Sequence, residues 1–128
     1  MARLEHVNVT VPDPRATAAM LSDIFGWKIR WEGNGSEGGY SIHIGTDNDY
    51  IALYTGPDMG RDQRVGDNSY LQKGGLNHIG IVVDDLGATE AKVKAAGITP
   101  HSHMDYEPGK RFYFHDADGV EYEVVNYD

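Results

Sequence analysis

Residues 4–13 read LEHVNVTVPD, and 72 residues further on residues 76–85 read LNHIGIVVDD. The register holds beyond the stretch itself. Leu4 falls on Leu76, His6 on His78, Val11 on Val83 and Asp13 on Asp85, and then Ala16, Thr17 and Ala19 fall on Ala88, Thr89 and Ala91. Self-similarity at a fixed offset is the mark of a repeated structural unit. At the same offset His43 falls on His115, and one residue of slippage brings Ala52 onto Glu123. The expectation is one domain of two modules, residues 1–56 and 75–128, joined by a polar, glycine-rich connector over 57–74.

Each copy reads as a strand, a helix and a run of strands. Over residues 4–11 Val7, Val9 and Val11 alternate with Leu4, His6, Asn8 and Thr10, the period of a strand with two unlike sides. Asp13 is placed to cap a helix that has Pro14 at its first position, Ala16, Ala19, Met20 and Ile24 at helical spacing, and Gly26 as its stop. Asp85 and Gly97 take those places in the second copy. Strands are expected over 27–31, 40–44 and 50–54, punctuated by GNGSEGG (33–39) and GTDND (45–49). Their counterparts are ITPHSH (98–103), KRFYFH (110–115) and VEYEVV (120–125). The fold class is therefore α+β, with two βαβββ modules.

Composition narrows the function. The chain has 128 residues, no cysteine, and a net charge of −9 from twenty acidic and eleven basic residues. Disulfides and thiolate metal sites are excluded, and any metal must be held by nitrogen and oxygen. With Lys110–Arg111 as the longest basic cluster, a phosphate backbone would be repelled, so nucleic acid is not an expected partner. No stretch approaches the roughly 18 apolar residues of a membrane helix, and the expectation is a cytoplasmic protein with no membrane partner.

Face assignment brings the two histidines together. Ile79, Ile81 and Val83 share one side of their strand, which leaves His78 on the other with Gly80, as His6 lies with Asn8. In the last strand Val120, Tyr122 and Val124 form the apolar set, so Glu123 shares the side of the histidines. His6, His78 and Glu123 make a two-imidazole, one-carboxylate set that can hold one divalent metal, Fe, Mn, Zn or Ni, with positions left open for substrate. By the same parity Arg111, Tyr113 and His115 face that side while Phe112 and Phe114 face the helices. His43 and His115, as repeat mates, are candidate acids or bases. Asn8, Tyr50, Ala52 and Tyr54 are expected pocket wall. His101 and His103 form an H-x-H pair, read as solvated in preference to a second metal site.

The pieces LEHVNVTVPDPRATAAMLSDIFGWKI, LNHIGIVVDD and FYFHDADGVEYEVV resemble the vicinal oxygen chelate superfamily: glyoxalase I, bleomycin-resistance proteins, fosfomycin-resistance enzymes and extradiol dioxygenases. The resemblance implies a single glyoxalase-like domain over 1–128, its sheets curling into a cup with the metal on the concave side. It also implies a homodimer whose ligands are shared across the interface, His6 from one chain and His78 with Glu123 from the other. Tyr113 matches a tyrosine that contacts substrate in fosfomycin enzymes, Arg111 is suited to an anionic group, and HMDYEPGK (103–110) falls on the variable rim. Glyoxalase I enzymes carry a second glutamate where this chain has Ala52, which disfavours that activity. The implied function is a metal-dependent enzyme acting on a small oxygen-bearing substrate, dioxygenase-like or fosfomycin-thiol-transferase-like. The alternative is a ligand-sequestering protein of the bleomycin-resistance type.

Overall fold

The two helices begin where their capping aspartates dictate. In the computed structural model, which describes residues 1–34, 38–57, 69–106 and 108–128, the Asp13 carboxylate accepts the backbone N–H groups of Arg15 and Ala16, each at 3.2 Å. Helix α1 (Pro14–Phe25) starts there and ends on Gly26, whose φ of 71° suits a residue without Cβ. Asp85 caps α2 (Leu86–Ala95) through Ala88 N–H at 3.0 Å, and Gly97 takes φ 81° after it. In both helices a buried threonine, Thr17 or Thr89, turns its hydroxyl back to the capping residue's carbonyl.

The chain divides into two compact units, Met1–Asp62 and Gln63–Asp128. Unit 1 runs β1 (His6–Thr10), α1, β2 (Lys28–Asn34), β3 (Tyr40–Gly45) and β4 (Tyr50–Thr55). Its sheet order is β1-β4-β3-β2, with β1 parallel to β4 and the remaining pairs antiparallel. Unit 2 repeats this with β5 (Ile79–Val82), α2, β6 (His101–Tyr106), β7 (Gly109–His115) and β8 (Glu121–Asn126), in the order β5-β8-β7-β6. Each unit is thus a βαβββ module, and the architecture is α+β.

One face of each sheet is covered by its helix. In unit 1 Ile42, Ile44, Ile51 and Leu53 are buried with Leu21 and Ile24 of α1. The buried stripe of α1 is Pro14, Thr17, Ala18, Leu21 and Ile24. Ile24 is as expected, whereas Ala16, Ala19 and Met20 give way to Ala18 and Leu21, because burying Leu21 removes far more apolar surface than burying the alanines. In unit 2 Phe112, Phe114, Tyr122 and Val124 form the core with Ile81 and Val93. The DADG turn (116–119) sets the register of β7 against β8: the buried Asp116 carboxylate accepts Asp118 N–H at 2.9 Å and Val120 N–H at 3.0 Å, and Gly119 takes φ 84°.

Several boundaries differ from expectation. β1 and β5 are shorter than residues 4–11 and 76–83, so His78 sits just ahead of its strand. β2 runs on to Asn34, which pairs with Tyr40; the turn expected from Gly33 is shorter, and its residues 35–37 lie outside the described residues. β6 begins only at His101, after Pro100, which has no N–H for a ladder. It then continues to Tyr106, so HMDYEPGK is largely a hairpin of β6 and β7, with Glu107 outside the described residues. Of the expected connector, residues 58–68 lie outside the described residues and Ser69–Leu71 form a 3₁₀ turn.

Strand pairing also corrects the repeat. In unit 1 His43 stands opposite Ala52, whereas in unit 2 Tyr113 stands opposite Glu123 and His115 opposite Glu121. The structural counterpart of His43 is therefore Tyr113, and that of His115 is Gly45, which pairs with Tyr50. Unit 2 has two residues fewer than unit 1 between its first and third strands (His78 to Tyr113 against His6 to His43) and one residue more in the turn that follows, and an ungapped comparison cannot detect either change.

Candidate metal centre

Glu123 lies at the centre of the polar side of unit 2. Tyr122 and Val124 point into the helix-covered core, so strand alternation turns Glu123 the other way. Neighbouring side chains nonetheless leave it only 8% exposed. Three of them converge on its carboxylate. Arg111 Nη1 donates to Oε1 at 3.1 Å, Tyr113 OH donates to Oε2 at 2.9 Å, and His78 Nε2 lies 3.1 Å from Oε2. Burial, followed by the bond to Glu123, raises the Tyr113 phenol above its ordinary pKa, so it remains a protonated donor at neutral pH. Arg111 Nη2 donates to Gly109 O at 3.3 Å. Its Nε is buried with no hydrogen-bond acceptor among the described residues.

His78 is oriented from behind by a residue of the expected connector. Tyr70, in the 3₁₀ turn, places its hydroxyl 3.1 Å from His78 Nδ1 and donates a short hydrogen bond to Glu121 Oε1. The bond to Glu121 is the main reason its phenol is pushed up to about 12. Holding Nδ1 in this way aims Nε2 at Glu123, the support that ligating histidines generally receive. The sequence offered no signal for Tyr70 beyond an aromatic residue in a polar segment.

The pair suits a divalent cation. At metal–ligand bonds of roughly 2.1 Å, adjacent donors lie about 3.0 Å apart in an octahedral shell and about 3.4 Å apart in a tetrahedral one. His78 Nε2 and Glu123 Oε2, 3.1 Å apart, have that spacing.

In unit 1 His6 is held in a similar way. Its Nδ1 lies 2.7 Å from Glu5 Oε1, leaving Nε2 for another partner. The His6 ring stacks on Tyr50 at 4.9 Å, and Tyr50 stacks on His43 at 4.5 Å. Arg30 sits over the Tyr50 ring at 4.6 Å. Burial, followed by the neighbouring His6 and Arg30 charges, lowers the His43 pKa below 6.5, so its neutral form is favoured. Ala52 is 3% exposed between Asn8 and His43, and the side chain of Tyr50 leans across to that same histidine. Tyr54 lies against Gly39 and Gly56, where a Cβ at Gly39 would collide with its ring.

The H-x-H pair splits. β6 carries one extra residue between His101 and Met104 relative to β7, and Ser102 takes φ 56°. This bulge breaks the two-residue alternation. His103 stacks on Phe112 and bonds Glu90 at 3.0 Å, whereas His101 stacks on Tyr113 and meets His115 on the opposite face.

Comparison with known proteins identifies the family and the fold. A family model for the Glyoxalase/Bleomycin resistance protein/Dioxygenase superfamily matches residues 3–124. A glyoxylase/bleomycin resistance protein/dioxygenase domain from Frankia sp. EAN1pec superposes with TM-score 0.81 at 23% identity, over 100% of this chain and 93% of that one. The fosfomycin resistance protein FosX from Listeria monocytogenes superposes with TM-score 0.74 at 18% identity, over 98% and 93% of the two chains. A further FosX structure, complexed with Mn(II) and sulfate ion, gives 0.70 at 18% identity over the same shares. No curated protein matches.

Proposed function

Since the chain belongs to the glyoxalase/bleomycin resistance protein/dioxygenase superfamily, we propose that it is a divalent-metal-dependent enzyme acting on a small oxygen-bearing substrate, with His6, His78 and Glu123 as its ligands. The observation that carries this reading is the preset pair in unit 2: His78 Nε2 faces Glu123 Oε2 at 3.1 Å and is fixed from behind by Tyr70. His6 would come from one protomer of a homodimer and His78 with Glu123 from its partner. A bound divalent ion would polarise substrate oxygens as a Lewis acid and offset developing negative charge. Tyr113, protonated and adjacent to Glu123, would donate to a substrate oxygen. Arg111 holds the carboxylate in place, and its guanidinium charge would attract an anionic substrate group. Alanine at position 52 has no carboxylate to move a proton, which favours addition or dioxygenation chemistry over glyoxalase I isomerisation.

One observation favours a second reading, ligand sequestration without catalysis. Both oxygens of Glu123 already have protein donors, Arg111 on one and Tyr113 on the other.

The discriminating measurement is transition-metal content of chain purified without chelator or affinity tag, with His6→Ala and Glu123→Gln alongside and a turnover screen of epoxide, catechol and α-ketoaldehyde substrates. The enzyme reading expects a tightly held ion that both variants lose, and turnover of one substrate class that depends on it. Absence of ion after reconstitution would leave sequestration as the function.

A further inference from the structure

Beside the His78–Glu123 pair, with Glu121 Oε1 3.8 Å from His78 Nδ1, β6, β7 and β8 bring a second nitrogen and oxygen donor set to the same sheet face of unit 2. His101 Nε2 and His115 Nδ1 are 3.0 Å apart, their rings nearly parallel at 16°. His115 Nε2 lies 3.0 Å from Glu121 Oε2. One donor atom from each of the three residues falls within a 4.8 Å span. We infer that His101, His115 and Glu121 form a second divalent-cation site, of the borderline class that includes Zn(II).

Three features distinguish this cluster from side chains that meet by chance. Glu121 and His115 are direct cross-strand partners on adjacent strands, so their spacing is set by the sheet. Glu121 is also anchored, since its other oxygen takes the Tyr70 hydroxyl and its side chain is only 12% exposed. His101 reaches the face only through the bulge at Ser102. That residue adopts a left-handed φ of 56° and places its hydroxyl 2.9 Å from His101 Nδ1, which turns Nε2 toward the cluster. A non-glycine residue keeps such a conformation where its surroundings over-determine it, and such places concentrate at ligand sites.

The donor chemistry selects the ion. Two imidazoles with one carboxylate suit Zn(II), Ni(II) or Cu(II) better than Mg(II) or Ca(II), which take oxygen shells. A metal–ligand bond of roughly 2.1 Å requires donors within about 4.2 Å of one another. Binding therefore draws the 4.8 Å span inward, at a cluster where the His115 side chain is 48% exposed. The same exposure leaves the ion a path to solvent. No ligand is shared with the His6, His78 and Glu123 set, so the inference does not depend on that reading. Glu121 and Tyr70 nevertheless connect the two centres, because Tyr70 bridges Glu121 to His78.

The test is Zn(II) stoichiometry of the full chain, stripped with chelator and titrated against a chromophoric competitor. The expected count is two ions per chain, falling to one in His101→Ala and in His115→Asn. Glu123→Gln should also retain one, and Glu123→Gln with His101→Ala none. His101→Gln serves in place of His101→Ala if unfolding in chelator shows that the smaller residue disrupts β6. A count unchanged by both His101 and His115 substitutions overturns the second site. A count lowered by them but not by Glu123→Gln supports it while removing the ligand set proposed for catalysis.

Discussion

Replacing Arg111 by methionine should expose how far the buried charge of Glu123 depends on it. Both side chains are 11% exposed, and they meet at 3.1 Å. Breaking a fully buried ion pair costs about 3–5 kcal/mol, because the remaining charge keeps its desolvation penalty. Here Tyr113 OH and His78 stay on the carboxylate, which places the expected loss for Arg111→Met nearer 2–3 kcal/mol by the same reasoning. For a chain of this size that corresponds to a fall in Tm of roughly 6–15 °C. Glu123→Gln, which leaves the guanidinium without its counter-charge, should cost a similar amount. The double variant should then be more stable than the sum of the two losses implies, by a coupling of about 1–3 kcal/mol. Urea unfolding of chelator-stripped protein at neutral pH, with m compared across the cycle, measures all four corners. Additive losses, or an Arg111→Met loss under about 0.5 kcal/mol, would show that solvent already screens the pair and that the convergence on Glu123 is energetically idle.

Other expectations follow from single contacts. A Cβ at Gly45 would stand 2.3 Å from Asp49 O and 2.6 Å from Tyr50 Cα, so Gly45→Ala should cost about 1–3 kcal/mol in denaturant unfolding, and a neutral result would refute the close backbone approach. His43 has a folded pKa below its ordinary value, so its contribution to stability is complete above that value and is lost as pH falls through the depressed one. The imidazole signal of His43 should therefore titrate below pH 6.5 by NMR in metal-free protein, and His43→Gln should flatten the acid side of the stability profile. A midpoint at or above that value would contradict the burial argument. Ser102→Val, placing a β-branched residue at φ 56°, should destabilise by about 1–3 kcal/mol and Ser102→Gly should not; equal effects in thermal unfolding would count against a strained bulge.

The duplication, the helix caps at Asp13 and Asp85 and the inward row of Phe112 and Phe114 are legible in the chain because each depends on local periodicity or on a side chain's reach to its own backbone. The same alternation turns Glu123 away from the core and onto the side of His78. Strand pairing is not local. Only the ladders place His43 opposite Ala52 and Tyr113 opposite Glu123, because the shorter run before the third strand of unit 2 shifts the partners by two residues without altering the alternation within either strand. Only the bulge at Ser102 separates His101 from His103, and only the 3₁₀ turn Ser69–Leu71 brings Tyr70 against His78 and Glu121. The residues that can serve as ligands follow from amino-acid type and face; which donors stand within 3 Å of which is decided by the register of one strand on the next.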